Sequence, residues 1–233
     1  MENIFRVLLT VAITALASIS SYAQEIDMTK ENLTIKDLES VKILVTEHPE
    51  AYADAVKAFE ACDSTLTLTD VAIVYFGYQY TPEYHGGYYS TNVNAVKDLL
   101  EMGDNAGALE KVNEFRKTDP GCLRLLHYGI NAIGDDDNPL RQQFITQFFS
   151  LCDCITTFGS GTADDPFKVI RVDDEYEILW AYLGVDEITQ QSLTNSQCDA
   201  MEFKIRNVPF TLFFDVSDML AFNYKQLTEH KEL

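Results

Sequence analysis

The sequence predicts an α+β chain: an N-terminal array of antiparallel helices followed by a small antiparallel sheet with one helix. Three observations predict it. From Ile26 to about Phe158, apolar residues recur at three- and four-residue steps, the period of amphipathic helices. Beyond Phe158 the apolar period falls to two, as in half-buried strands. At the change stands Gly159-Ser160-Gly161-Thr162, a flexible turn. The implied division is a leader over 1–23, a helical region over 24–158, a small α+β region packed on it over 159–218, and a tail over 219–233.

The leader is read from three parts in order. Arg6 supplies a positive charge, Val7 to Ala17 form an apolar run of eleven broken only by two threonines, and Ser21-Tyr22-Ala23 offers small residues where a signal peptidase cuts. The run is too short to cross a bilayer core of roughly 30 Å. The expectation is a signal peptide cleaved near Ala23 and a periplasmic or secreted mature chain. No later stretch has the length of a membrane span.

The helical elements follow. Leu33, Leu38, Val41, Leu44 and Val45 mark one helix, stopped and restarted at His48-Pro49. Ala51, Ala55, Ala58, Phe59 and Cys62 line a second. Thr69 and Asp70 resemble an N-cap for a short third helix over Val71 to Phe76. Asn92 to Met102 and Ala106 to Lys117 form two more around Gly103-Asp104-Asn105, and Asp119-Pro120-Gly121 ends the second of them. Cys122 to Ile133 and Leu140 to Ile155 complete the array across the turn Gly134 to Pro139.

In the smaller region, Phe167, Val169 and Ile170 suggest a strand. Asp173-Asp174-Glu175 open a helix through Tyr182, with acids where the macrodipole favours them, and Gly184 ends it. Ile188 to Leu193, Met201 to Ile205 and Phe210 to Val216 alternate as three strands joined by hairpin-length turns. Tyr176 and Trp180, four apart on the helix, are the expected seam with the helical array. Residues after Met219 read as a fraying tail.

Composition excludes several partners. The chain has 37 acidic against 17 basic residues and a net charge of −20, which repels nucleic acid and anionic membrane surfaces. The acids concentrate at turns and helix starts, and are read as a solvated skin. Five cysteines, Cys62, Cys122, Cys152, Cys154 and Cys198, are an odd number, so at least one is free. Cys152-Asp153-Cys154 lies among Phe148, Phe149, Leu151 and Ile155, which favours buried, inert thiols over a metal or redox pair.

No catalytic motif, cofactor fingerprint or metal-ligand spacing is present, so the expected catalytic residues, metal ligands and cofactors are none. Asp135-Asp136-Asp137-Asn138 lacks the glycine and distal glutamate of a calcium loop and reads as a capped helix start. His127, beside Leu126 and Tyr128, reads as a core histidine. The most unusual segment is Tyr75 to Tyr89, with seven aromatics in fifteen residues. Tyrosines among glycines give large contact area at small entropic cost. Tyr78, Tyr80, Glu83, Tyr84, His85, Tyr88 and Tyr89 are therefore the candidate binding residues, set against the alternative that the rings fill an irregular loop.

Leu99-Leu100-Glu101-Met102-Gly103-Asp104, then Ala108-Leu109, then Asp119-Pro120 resembles one tetratricopeptide unit, and a second Gly-Asp pair follows 31 residues after the first. Together with the leader, the stretch Thr65-Leu66-Thr67 to Tyr75-Phe76-Gly77-Tyr78, and Gly159-Ser160-Gly161-Thr162 leading to Pro166-Phe167-Lys168-Val169 and Asp174-Glu175-Tyr176, this resembles an uncharacterised family of exported bacterial proteins known only as a domain of unknown function. The resemblance implies no activity, cofactor or catalytic residue. The functional expectation is a non-enzymatic binding or scaffold module for protein, peptide or glycan. The alternatives are a glycan hydrolase centred near Glu83 and a purely structural subunit.

Overall fold

The structure is a computed structural model that describes residues 38–86 and 91–229. The leader, Leu33, Tyr88, Tyr89 and the last four residues lie outside the described residues. The chain divides into two compact units, one holding residues up to Cys154 apart from a short insertion at Gly86, the other running from Ile155 onward.

The helical unit contains α1 (Leu38–Glu47), α2 (Pro49–Glu60), α3 (Leu68–Gly77), a 3₁₀ turn (Tyr78–Tyr80), α4 (Thr91–Glu101), α5 (Asn105–Phe115), α6 (Leu123–Ala132) and most of α7 (Pro139–Thr157). Its centre is α3, where Leu68, Val71 to Phe76 and Gly77 are all buried. A helix apolar on every side must be surrounded, and α1 and α2 both pack against it. The start of α3 lies two residues earlier than the Thr69-Asp70 cap expected from sequence. Thr67 and Asp70 form a capping box: the Asp70 amide donates to Thr67 Oγ1 at 3.2 Å and the Thr67 amide to Asp70 Oδ2 at 2.9 Å. The acid is thus the third helical residue, and the apolar Leu68 is enclosed with the rest.

Two buried polar side chains of this unit partner each other. Arg116 and Gln147 are 7% and 1% exposed. Arg116 Nη2 donates to Gln147 Oε1 at 2.7 Å, and Gln147 Nε2 donates to the Phe59 carbonyl at 2.9 Å. The guanidinium also lies 4.9 Å from the centre of the Phe144 ring. One chain of contacts therefore ties the end of α2, the end of α5 and the middle of α7. Cys152 and Cys154 are fully buried, and all five cysteines are free thiols.

The second unit contains β1 (Phe167–Lys168), α8 (Val172–Tyr176), a π-helical continuation (Glu177–Tyr182), β2 (Glu187–Leu193), β3 (Cys198–Ile205), β4 (Val208–Asp215) and α9 (Ser217–Glu229). The sheet order is β1-β4-β3-β2. It is mixed, which corrects the wholly antiparallel expectation: β1 runs parallel to β4, with Phe167 opposite Phe214. A strand separated from its partner by a helix and a hairpin returns as a crossover and pairs parallel. The β3–β4 turn is only Arg206-Asn207, with φ of +50° and +65°, the conformation that lets a two-residue hairpin follow the strand twist. Pro209 can therefore sit inside β4, beyond the reach of the short β1.

The expected tail is also corrected, because Ser217–Glu229 is a helix. Asp215 starts it by accepting from the Ser217 amide at 3.0 Å and Ser217 Oγ at 2.6 Å. Burial alone would raise the Asp215 pKa, but the Ser217 donors and Lys168, 2.8 Å away, outweigh it and hold the carboxyl below its ordinary value.

Gly129 and Gly134 make a paired test of helix packing. A Cβ on Gly129 would stand 2.5 Å from the Phe144 ring, whereas one on Gly134 would meet nothing within 4 Å. Gly129→Ala should lower the urea midpoint, costing about 1–3 kcal/mol, while Gly134→Ala stays within about 0.5 kcal/mol of the parent.

Candidate functional site

The tyrosine-rich segment begins on α3 and turns through Tyr78–Tyr80. Tyr75 is fully buried, and Tyr78 and Tyr84 are each 6% exposed. The Tyr78 and Tyr84 rings meet edge to face at 5.8 Å, and the Tyr78 hydroxyl donates to the Glu83 carbonyl at 2.9 Å. These rings are occupied in shaping the loop. Tyr80 is half-buried, and Glu83 and His85 are exposed. The segment therefore presents Tyr80, Glu83 and His85 to solvent, with Tyr78 and Tyr84 beneath.

Other sequence candidates are placed plainly. Asp135, Asp136 and Asp137 are exposed, and Asp136 pairs with Arg141 at 2.9 Å. Asn138 Oδ1 accepts from the Leu140 amide at 2.9 Å, so the segment is a capped helix start. His127 stands between the rings of Tyr128 and Phe148. Among the described residues no three His, Cys, Asp or Glu side chains converge so as to hold a metal ion.

The less expected chemistry is in the second unit. Asp173, Asp174, Glu175 and Glu177 are 4%, 0%, 0% and 3% exposed, and Asp199 on β3 is 8% exposed. These acids of α8 are not a solvated skin, which corrects the reading of Asp173 to Glu175 as a hydrated helix start. Their geometry explains the burial. The helix and its π-helical continuation are enclosed on most sides, since Ile178, Leu179 and Tyr182 are buried along with the acids. On β3, Asp199 shares the inward face with Met201 and Phe203. Arg171 approaches Asp174 at 3.6 Å, with both side chains inside.

Glu175 is the extreme member. Neither of its carboxyl oxygens has a hydrogen-bond donor. Burial first, then the adjacent Asp199, then Asp174 and Asp173, raise its pKa from 4.5 to about 9. Glu175 thus holds its proton at neutral pH.

From Asp199 a hydrogen-bonded arm leads outward. Gln191 Nε2 donates to Asp199 Oδ2 at 2.8 Å, and the Tyr176 hydroxyl donates to Gln191 Oε1. The Tyr176 ring packs on Trp180 at 5.0 Å between centroids and 38° between planes. Trp180 is 48% exposed and is the only tryptophan in the chain. Partial burial first, then the surrounding acids, raises the Tyr176 pKa, so its hydroxyl stays protonated as a donor. The result is an exposed aromatic platform with an amide and a phenol at its edge, standing on the buried Asp199. A separate shallow groove of about 510 Å³ on the sheet is lined by Thr189, Glu202, Lys204, Phe210 and Thr211.

Residues 39–225 match the family described as domain of unknown function (DUF4919), and the chain belongs to that family. No curated protein and no solved structure matches the chain. No helix among the described residues is long and apolar enough to cross a membrane.

The proton on Glu175 has a thermodynamic consequence of definite sign. The folded chain binds it more tightly than the unfolded chain, so this group's stabilisation is complete below about pH 4.5 and declines as pH rises toward 9. Glu175→Gln, neutral at every pH, should flatten that decline. At about pH 8 it should raise the thermal midpoint by several degrees, an effect on the order of 2–3 kcal/mol. A variant melting below the parent across the range would contradict this.

Proposed function

We propose that the chain is an exported, non-catalytic binding module whose ligand is a neutral saccharide, taken on the Trp180 face of the second unit. The observation that carries the reading is the exposed Trp180 ring seated on Tyr176, whose hydroxyl is already tied to Gln191. A flat ring offers the C–H face of a sugar a large apolar contact at little entropic cost, while neighbouring amide and phenol groups fix the hydroxyls. Trp180 held at its rear by Tyr176 is also pre-organised for such contact. The net charge of −20 disfavours acidic glycans and acidic peptides, which leaves the neutral class.

Export rests on the Arg6, Val7–Ala17 and Ser21-Tyr22-Ala23 pattern, which supports a periplasmic or extracellular location in a bacterial cell. The helical unit serves as scaffold. Its tetratricopeptide-like character is supported by the α4–α5 pair, where Gly103 takes a φ of +77° and Asp104 caps α5 by accepting from the Gly107 amide at 2.9 Å. Tyr80, Glu83 and His85 give that unit a polar, accessible loop that suits contact with a protein or peptide partner. The hydrolase alternative finds less support. Glu175, the acid best shielded from solvent beside the Trp180 face, is fully buried and cannot reach a glycosidic oxygen.

Affinity electrophoresis through gels containing neutral polysaccharides tests the reading. The parent should be retarded in at least one, and Trp180→Ala should lose about 1–2 kcal/mol, a roughly five- to thirty-fold weaker binding, with unchanged thermal unfolding. Equal retardation of parent and variant, or none for the parent across neutral glycans, would overturn it.

A further inference from the structure

We propose that β2 is a self-pairing edge: two copies of the chain join antiparallel across a two-fold axis at Ser192, merging their four-stranded sheets into one. The contact stands on the strand's own geometry, and only its consequence for binding rests on the saccharide reading.

β2 is the outer strand of the sheet, and every one of its side chains except Ile188 is exposed. The Thr194 amide donates to the Cys198 carbonyl at 2.8 Å, so the backbone of Thr194 is turned toward β3. Direction alternates along an antiparallel strand. Ser192 and Gln190 therefore also bond to β3, opposite Ala200 and Glu202, while the amides and carbonyls of Gln191 and Leu193 point away from it. Backbone groups at such an edge are a template for another strand, and the usual guards are lysine, proline, an inward charge or a bulge. β2 contains no lysine and no proline. Its bulge falls between Ile188 and Gln190 and leaves Gln190 to Leu193 in regular register.

Charge and register select a second copy as the occupant. Ile188 to Gln197 is a run of ten residues without a charge, in a chain that carries −20. Another copy meets this edge with the same neutral stretch, so no like charges are set opposite each other. An isologous contact also needs a patch that complements itself. Centring the axis on Ser192 sets Gln191 against the partner's Leu193 and Leu193 against the partner's Gln191, so each outward amide of these residues meets an outward carbonyl. Leu193, 58% exposed in the single chain, gains a neighbour there. The axis stands perpendicular to the sheet, so both copies turn the face bearing Gln191, Tyr176 and Trp180 to the same side. A long neutral polysaccharide then meets two platforms at once. Strand pairing alone covers a small area, which makes the dimer a weak one, and salt relieves the repulsion between two chains of −20.

Sedimentation equilibrium of the full chain, at up to about 0.5 mM protein in about 0.02 M and about 0.5 M sodium chloride, reads the association. The expected result is a monomer–dimer equilibrium that tightens in the higher salt. Leu193→Pro removes an amide directed away from β3, so it should keep the parent's circular dichroism and thermal midpoint yet weaken the dimer roughly tenfold or more. Ser192→Cys sets two thiols opposite each other with Cα atoms about 4.5 Å apart, within disulfide reach. Diamide should join them, each thiol giving up a proton and an electron to it. Gln190→Cys, whose counterpart is displaced along the strand, should crosslink no more than the parent. A parent that stays monomeric at the highest protein and salt concentrations, a dimer untouched by Leu193→Pro, or equal crosslinking of the two cysteine variants would overturn the proposal. Should Leu193→Pro fail to fold, the two cysteine variants decide. Hydrogen exchange reports any other occupant: Gln191 and Leu193 amides protected in a monomer would mean that the chain covers its own edge, and the proposal fails. A dimer that binds no neutral glycan would sink the saccharide reading alone.

Discussion

A carboxyl group held out of water's reach with no hydrogen-bond partner cannot keep a charge, and Glu175 sets that constraint in the second unit. Glu175 is enclosed with the buried Ile178, Leu179 and Tyr182, and Asp199 lies on the strand face that continues through Met201 and Phe203. Asp199 accepts from Gln191, whereas Glu175 has no hydrogen-bond partner and is kept neutral by its burial. The exposed Trp180 is thereby linked through Tyr176 and Gln191 to the buried Asp199.

The helical unit solves the same problem in the opposite way. Its buried cation, Arg116, meets the Gln147 carbonyl and the Phe144 ring, and Gln147 passes the connection to the Phe59 carbonyl. Burial lowers the Arg116 pKa, but the guanidinium has partners and no acid needs to be neutralised beside it. Such a network fixes the spacing of three helices and adds rigidity without any response to pH in the ordinary range. One unit buries a partnered cation, and the other buries an unpartnered acid.

Much of this architecture was legible in the sequence. The change of period at Phe158 separates helices from strands, and alternation at Met201-Phe203 and Leu212-Phe214 sets which strand faces turn inward. The mixed sheet was not legible, because two residues of β1 carry too little pattern to reveal a parallel partner. The last helix was missed because Met219 is its one buried apolar residue and its start depends on Asp215, which sequence alone assigns to the strand. Asp173-Asp174-Glu175 misled for a physical reason: acids at a helix start are ordinarily solvated, and composition weighs them as such. For Asp199 the burial was encoded by spacing, since it falls in step with Met201 and Phe203. In the tyrosine-rich loop the opposite error operates, for residue type suggested contact while Tyr78 and Tyr84 serve the interior.

The central claim is that Glu175 remains protonated at neutral pH because burial and Asp199 leave it no other state. Carbon-13 NMR of the side-chain carboxyl groups, titrated in the intact chain, tests that claim at the atom concerned. The account predicts that the Glu175 carboxyl keeps the shift of an acid through neutrality and changes only on the alkaline side, toward about 9. A Glu175 carboxyl that titrates near its ordinary 4.5 would contradict it.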